Sequence, residues 1–256
     1  MRIVIVVDCF AISELGEDHE TNDDFVALDE EVGAFVVADG IGGRPGGATA
    51  SRIAVETFLA HLKGKELSGG RAGDVLLQAV LAADQRVRQA GQADPLVTGM
   101  GTTLSALVLS GHGAHVAHVG DSRIYLFRQG ELRRLTVDHT LVAELVKGQH
   151  IRPETASRHP LRNMLTQSLG ASESIEPQLL DLELTHGDLF ILVTDGLEKV
   201  MDEGRLLALI REHQTETSEW LCRYLVADAM EHSPNDDLTL AVVKICVPQG
   251  DQEGAS

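Results

Sequence analysis

The sequence predicts an α+β domain, in which helices lie before and after a run of antiparallel strands. Residues 101–136 contain short apolar segments separated by glycine turns, and the letters RQGEL indicate a closing hairpin. Strands joined by such short turns pair antiparallel. Amphipathic helices are predicted near 48–62, before this run, and near 202–212, after it. The pattern therefore differs from the strand–helix alternation of a parallel sheet.

Strands and helices also alternate in the N-terminal third of the chain. The apolar run at residues 3–7 predicts a first strand, because it is too short for a signal-peptide core and Asp8 interrupts it without a cleavage site. FVAL and AFVVA, each bounded by turn residues, predict two further strands. The helix over 48–62 carries apolar residues at i, i+3, i+4 and i+7, and a second helix is predicted from about Asp74.

The C-terminal half is predicted to begin with an irregular flap over about 140–165, where a short helical pattern precedes proline-punctuated sequence. Two strands, LLDLEL and LFILV, are predicted to pair across a turn at 186–188. The remaining predicted elements are two helices and a last strand, at 202–212, 216–231 and 237–245.

Composition limits the class of partner. The chain has 256 residues, 43% of them hydrophobic, so we predict a single domain over 1–247 with a disordered tail over 248–256. A net charge of −18 opposes binding to a nucleic-acid backbone. No apolar run approaches the roughly 20 residues that a membrane span needs. Three scattered cysteines without CxxC spacing indicate buried thiols in a reducing compartment, which predicts a cytoplasmic location.

Aspartates recur at the ends of predicted strands. Asp39 and Asp195 each follow an apolar strand and precede a glycine. Similar acids precede a strand or lie in a turn between strands: Asp23, Asp24, Asp121, Asp236 and Asp237. One such Asp is more often a turn former or helix cap, but several at one rim repel one another unless hard cations bind. Oxygen donors without a paired His or Cys suit Mg²⁺ or Mn²⁺ better than Zn²⁺.

Glycines are dense after Asp39: Gly40 is followed by four more within seven residues. Without Cβ atoms this loop permits a close approach to the main chain. It lacks both GxGxxG spacing and a Walker lysine, so nucleotide binding is not predicted.

Other polar residues are interpreted as structural. His115 and His118 point to opposite faces of a predicted strand, which indicates surface or hairpin histidines and argues against joint chelation of a metal. Arg123 follows a turn in which it is expected to brace Asp121 or Asp39.

Several motifs in a fixed order resemble those of a known family. ADGIGGRPGGATAS resembles the DGxGG signature of the metal-dependent serine/threonine protein phosphatases of type 2C, the PPM family, as its bacterial members carry it. The later motifs of that family are resembled, in the same order, by GMGTTL, HVGDSRIYLFRQGELRRLTVDHT, HPLRNMLTQSLG, LFILVTDGL and NDDLTLAVV. The likeness extends from about residue 13 to residue 246, almost the whole chain.

The resemblance implies a four-layer αββα sandwich, in which two antiparallel sheets pack face to face between helices. It also implies a two-metal centre in the cleft at the sheet edges. Asp39 would bridge both metals, and the carbonyl of Gly40 would bind one of them. Asp195 and Asp236 would hold the first metal. Asp23 would serve the second, mostly through water, although the family usually has Glu there.

The resemblance bears on four further positions, and a fifth, Arg44, is suggested by its positive charge just past the glycines. Asp121 would help to hold a third, weakly bound metal. Asp24 would accept a hydrogen bond from metal-bound water, and Asp237 replaces the Asn that is usual beside the ligands. His19 stands where the family usually has a phosphate-gripping Arg, so weaker or pH-dependent substrate binding is expected. Arg44 is the other candidate for phosphate binding, against the alternative of a solvated loop residue.

The activity implied is hydrolysis of phosphoserine or phosphothreonine in a partner protein, itself the substrate of a serine/threonine kinase. Two Mn²⁺ or Mg²⁺ ions would activate a water molecule for in-line attack, and the protein is expected to act as a monomer. The alternative is a pseudophosphatase, a regulatory module that binds phosphoproteins without catalysis. His19 and the short Asp23 keep this alternative open, whereas an acid at every ligand position favours the enzyme.

Overall fold

The computed structural model describes residues 6–41, 46–67, 71–111, 113–156 and 158–246. Two five-stranded antiparallel sheets pack face to face, and helices cover the outer face of each. The predicted α+β class and the αββα sandwich are confirmed. The predicted tail and Arg44 lie outside the described residues.

Each sheet draws its strands from both halves of the chain. In spatial order, the first sheet consists of β1 (Val6–Glu14), β10 (Leu238–Cys246), β9 (Leu189–Val193), β6 (Arg123–Arg128) and β7 (Glu131–Arg134). The second sheet consists of β2 (Asp24–Asp29), β3 (Ala34–Asp39), β4 (Leu104–Ser110), β5 (Gly113–Val119) and β8 (Gln178–Glu183). The N-terminal strand thus pairs with the last one, which closes the sandwich.

The helices lie close to where the sequence predicts them. Two long helices, α1 (Gly47–Leu62) and α2 (Ala72–Ala93), cover the second sheet. The other helices are α3 (Leu141–Lys147), α4 (Pro153–Ala156), α5 (Asp195–Glu198), α6 (Glu203–His213) and α7 (Ser218–Met230), and the last two cover the first sheet. No helix within the described ranges combines the length and the apolar character that a membrane span requires.

Burial on both faces explains the continuous apolar run before Asp39. Along β3, Phe35 and Val37 face the core between the sheets, while Ala34 and Val36 face α1 and α2. A strand of this kind has no exposed face, so its sequence does not alternate.

Two predicted strand pairings are wrong. The run over residues 104–134 is not one meander, because β5 and β6 lie in different sheets and the chain crosses between them at Gly120, where φ is +108°. The strands β8 and β9 also lie in different sheets. Half-exposed β8 forms an edge, whereas fully buried β9 sits inside the first sheet between β10 and β6.

Candidate metal centre

Backbone hydrogen bonds fix Asp39 at the end of β3. Its N–H donates to Thr103 Oγ1 at 2.9 Å, and its carbonyl accepts from Thr102 Oγ1 at 2.9 Å and from the Thr103 N–H at 2.8 Å. Asp24 lies directly opposite in β2. The register of the second sheet therefore places two carboxyl groups side by side at one sheet edge.

Asp23 joins this edge to the first turn of α1. Asp23 Oδ1 accepts from the Ala48 N–H at 3.0 Å, and the Asp23 carbonyl accepts from the Gly40 N–H at 3.0 Å. A Cβ at Gly47 would lie 2.5 Å from Asp23 Oδ2, and one at Gly40 would lie 2.7 Å from the Asp23 carbonyl. Gly47 is thus required because the Asp23 carboxylate approaches it, whereas a Cβ at Gly40 would first meet the Gly47 carbonyl carbon.

The first sheet contributes acids to the same edge. Asp195 begins α5 two residues after the end of β9, and Asp236 and Asp237 precede β10, the neighbour of β9. Thr194 Oγ1 donates to Asp24 Oδ2 at 2.7 Å, so a buried hydrogen bond joins the two sheets at this edge.

Several acids at this edge are close enough to affect the pKa of Asp39. Burial, followed by the charges of the neighbouring acids Asp24, Asp195, Asp121 and Asp236, raises the pKa of Asp39 well above its ordinary value. Burial likewise raises the pKa of Asp24 to about 7, although hydrogen bonds from two threonines act to lower it. Burial and the charge of Asp195 raise the pKa of Asp121 to about 7. This edge therefore disfavours the ionised form of these carboxyl groups, and a divalent cation would stabilise it.

Lys199, which our sequence analysis did not single out, contacts two of these acids. Its Nζ lies 2.7 Å from Asp195 Oδ2 and also donates to Asp236 Oδ2. Burial alone would lower the pKa of Lys199, but the two carboxylates raise it above the ordinary value. Its position four residues after Asp195, on the same helical face, is a signal that spacing could have revealed.

His19 turns both ring nitrogens toward acids. Nδ1 lies 3.1 Å from Asp237 Oδ2, and Nε2 lies 3.5 Å from Asp236 Oδ1. A hydrogen bond to Asp237 is the main cause of the raised pKa of His19. Within the described ranges, His19, Asp236 and Asp237 are the one group of three His, Cys, Asp or Glu residues whose ligand atoms lie within 4.8 Å of one another.

Asp237 braces the loop that carries Asp23. Its carboxylate accepts from the Gly16 N–H at 3.0 Å and from the Asp23 N–H at 2.7 Å. Asp237 thus has a structural role beside the predicted ligand Asp236. An Asn in its place could not accept both hydrogen bonds as strongly as a carboxylate does.

Two structural interpretations from the sequence need correction. Arg123 binds Asp138 through two nitrogens, at 2.9 and 2.6 Å, and also contacts Glu198, so it does not brace Asp121 or Asp39 as expected. His118 is fully buried in β5 rather than at the surface. Its Nδ1 shares a hydrogen bond of 2.8 Å with Ser105 Oγ.

Carboxyl groups from both sheets meet at one edge of the sandwich. This arrangement is typical of proteins with a carboxylate-lined site for hard metal ions. Comparisons with known proteins agree with that class. A family model described as Protein phosphatase 2C matches residues 15–236. The chain therefore belongs to the protein phosphatase 2C family.

Individual relatives support this membership. The serine/threonine protein phosphatase PstP of Mycobacterium tuberculosis is 35% identical over 245 residues, 95% of this chain, which spans 46% of the length of PstP. The protein phosphatase PhpP of Streptococcus pneumoniae is 31% identical over 240 residues, 91% of this chain and 96% of PhpP. A crystal structure of the PstP catalytic domain in complex with two manganese ions has a TM-score of 0.83 and 30% identity, covering 95% of this chain and all of that one.

Proposed function

We propose that this chain is a metal-dependent phosphatase that removes phosphate from phosphoserine or phosphothreonine in a partner protein. The observation that carries the proposal is the meeting of acids from both sheets at one edge, in a member of the protein phosphatase 2C family. The pseudophosphatase alternative gains no support, because the relatives are named as phosphatases and this chain keeps an acid at every predicted ligand position.

The residues at this edge fit two Mn²⁺ or Mg²⁺ ions. All predicted side-chain donors are oxygens, and burial together with neighbouring acids raises the pKa of Asp39 and Asp121. In the proposal, Asp39 bridges the two ions, Gly40 adds a carbonyl, Asp195 and Asp236 complete the first site, and Asp23 serves the second. A third, weaker ion beside Asp121 belongs to the same proposal. The two manganese ions in the crystal structure of the PstP catalytic domain support the number and kind of ions.

Such ions supply an activated water for in-line attack at phosphorus and neutralise charge on the phosphoryl oxygens. The chain's own residues position and tune this centre. Asp24, held by Thr194 Oγ1, is placed beside Asp39 to accept a proton or hydrogen bond. We propose His19 and Arg44 as the phosphate-binding residues, with His19 oriented by Asp237.

The proposed setting is a monomer in the cytoplasm, formed by one domain over residues 1–247, which opposes a serine/threonine kinase. The names of the relatives support a phosphoprotein as the substrate. The net charge of −18 supports the exclusion of nucleic acid as a partner.

The test is turnover of p-nitrophenyl phosphate and of a phosphothreonine peptide with Mn²⁺, compared with excess chelator. We expect turnover only with the metal, and Asp39→Ala to lower kcat at least about a hundredfold, because the bridging carboxylate is lost. The matched control is Asp74→Ala, which removes an exposed acid from α2. Equal activity in Asp39→Ala and Asp74→Ala, with both proteins folded by circular dichroism, would contradict the assignment.

A further inference from the structure

The flap, residues 140–165, reverses the charge balance of the rest of the protein. The whole chain has 21 Lys and Arg against 39 Asp and Glu. The flap instead has four basic residues, Lys147, Arg152, Arg158 and Arg162, against two acidic ones, Glu144 and Glu154. An acidic protein therefore carries a local basic surface on this segment.

The three flap arginines are exposed and available. The side chains of Arg152, Arg158 and Arg162 form no ion pair or hydrogen bond with any other residue in the described part of the chain. Arginines elsewhere, such as Arg123 and Arg128, bind carboxylates. Free guanidinium groups can bind an external carboxylate or phosphate in bidentate geometry without first breaking an internal pair.

Apolar side chains accompany this charge. Leu161 and Met164 are 46% and 53% exposed, and they flank Arg162 in sequence. Exposed apolar groups beside arginines are typical of surfaces that bind proteins. The flap therefore offers contacts for a peptide, and not only for a free anion.

Hydrogen bonds anchor both ends of the flap at the edge that holds the acids. The His139 N–H donates to the Gly120 carbonyl at 2.7 Å, one residue before Asp121. The Thr166 N–H donates to the His139 carbonyl at 2.8 Å, so the chain leaves and returns at the same point. A substrate whose phosphorylated residue reaches the acids thus has its flanking residues beside the flap.

We infer that the flap binds acidic residues that flank the phosphorylated serine or threonine, so that acidic phosphoprotein segments are the preferred substrates. This inference rests on the proposed function. The body of the protein, with its large negative charge, repels an acidic segment, and the flap arginines offset that repulsion where the peptide must lie. The flap thereby selects substrates by charge, while the acids at the sheet edge perform the chemistry.

The test uses the flap variant Arg152→Glu/Arg158→Glu/Arg162→Glu and three substrates at low ionic strength. These are an acidic phosphothreonine peptide, the same peptide with Gln and Asn in place of Glu and Asp, and p-nitrophenyl phosphate. We expect kcat/KM for the acidic peptide to fall about tenfold or more in the flap variant. For the neutral peptide kcat/KM should fall less than it does for the acidic peptide. For p-nitrophenyl phosphate it should change by less than about twofold. Added salt should lower the wild-type rate on the acidic peptide and reduce this difference.

The control variant Lys63→Glu/Lys65→Glu/Arg71→Glu makes the same change in net charge. It does so where α1 ends and α2 begins, away from the start of α1 beside Asp23. These residues are exposed, and α1 extends about 24 Å from its start beside Asp23. We expect this variant to retain most of the wild-type rate on the acidic peptide. Equal losses in the two variants, or an unchanged rate in the flap variant, would overturn the inference.

Failure of the proposed function has a different signature, namely no metal-dependent turnover of p-nitrophenyl phosphate by the wild-type protein. Binding of a fluorescein-labelled, unphosphorylated acidic peptide, followed by anisotropy, tests the inference independently of turnover. We expect its Kd to rise about tenfold in the flap variant and little in the control. A Kd that is the same in all three proteins would refute the inference. A parallel loss of p-nitrophenyl phosphate turnover in the flap variant would also refute selection by charge, because it would show that the flap changes damage the centre.

Discussion

At the scale of single residues, Lys199 adds a positive charge to a site that the sequence predicts to be lined by carboxylates. Its ammonium contacts Asp195 and Asp236, the two acids predicted to share the first metal. A side-chain cation thus already neutralises part of the site, and a metal ion that binds both carboxylates must compete with it. Lys199 lies outside all of the sequence motifs that predicted the metal ligands.

We predict that Lys199→Met binds Mn²⁺ more tightly than the wild-type protein, by about tenfold, or roughly 1.4 kcal/mol. The substitution removes the competing charge and keeps an unbranched side chain of similar length. Isothermal titration calorimetry of the metal-free proteins measures the affinity directly, and Lys63→Met, an exposed lysine at the end of α1, is the control. Unchanged or weaker binding in Lys199→Met would show that the lysine supports metal binding and does not compete with it.

The sequence predicts which residues line the centre better than it predicts whether a given polar residue is buried. The sequence alone indicates the centre, because aspartates recur at the ends of apolar strands and strand ends share a sheet edge. The environment of His118 was not predictable in this way, since alternation assigns an exposed face to a strand and β5 is buried on both faces over most of its length. Burial lowers the pKa of His118 to about 3, so the ring is neutral, as a buried and uncompensated imidazole must be.

At the scale of elements, the start of α1 depends on glycine. Gly46 has φ of +86°, and Gly47 leaves no room for a Cβ beside Asp23 Oδ2. The helix can thus place its first N–H groups against Asp23, where the Ala48 N–H donates to Oδ1. Gly46 and Gly47 therefore help to fix the position of a predicted ligand, because they let the start of α1 lie against Asp23.

We predict opposite effects for two helical Gly→Ala substitutions. Gly47→Ala should lower the free energy of unfolding by about 1–3 kcal/mol, because its methyl group collides with the Asp23 carboxylate. Gly73→Ala in α2 should raise it by about 0.5–1 kcal/mol, because nothing lies within 4 Å of the added Cβ and alanine favours the helix. Urea unfolding measures both. A stabilised Gly47→Ala protein would show that the contact with Asp23 is not tight.

The sequence predicted the elements better than it predicted their pairing. Helix α1 was placed to within one residue, because apolar periodicity is a local signal. The crossings from β5 to β6 and from β8 to β9 were missed, because a glycine turn can either close a hairpin or carry the chain to the opposite sheet. Only contacts between distant residues, such as the pairing of β1 with β10, decide which of these occurs.

At the scale of the whole molecule, the candidate centre lies where the two sheets meet. Asp24 and Asp39 lie in the second sheet and Asp23 directly precedes it, while Asp195 and Asp236 lie next to the ends of strands in the first. Without cations, repulsion among these acids opposes the packing of the sheets at this edge, while the bond from Thr194 to Asp24 and the contacts of Lys199 favour it. Metal binding and the stability of the sandwich are therefore coupled.

We predict that Mn²⁺ raises the thermal stability of the protein in proportion to the occupancy of the centre. At a free concentration of 100 times Kd, binding adds about 2.7 kcal/mol, which corresponds to a rise in Tm of roughly 5–10 °C for a chain of this size. Differential scanning calorimetry with chelator and with increasing Mn²⁺ gives the curve, and Asp39→Ala should lose most of the rise. The group of His19, Asp236 and Asp237 is a possible second place for the ion. An equal rise in wild type and Asp39→Ala that disappears in His19→Ala would therefore move the metal to that group and refute Asp39 as the bridging ligand.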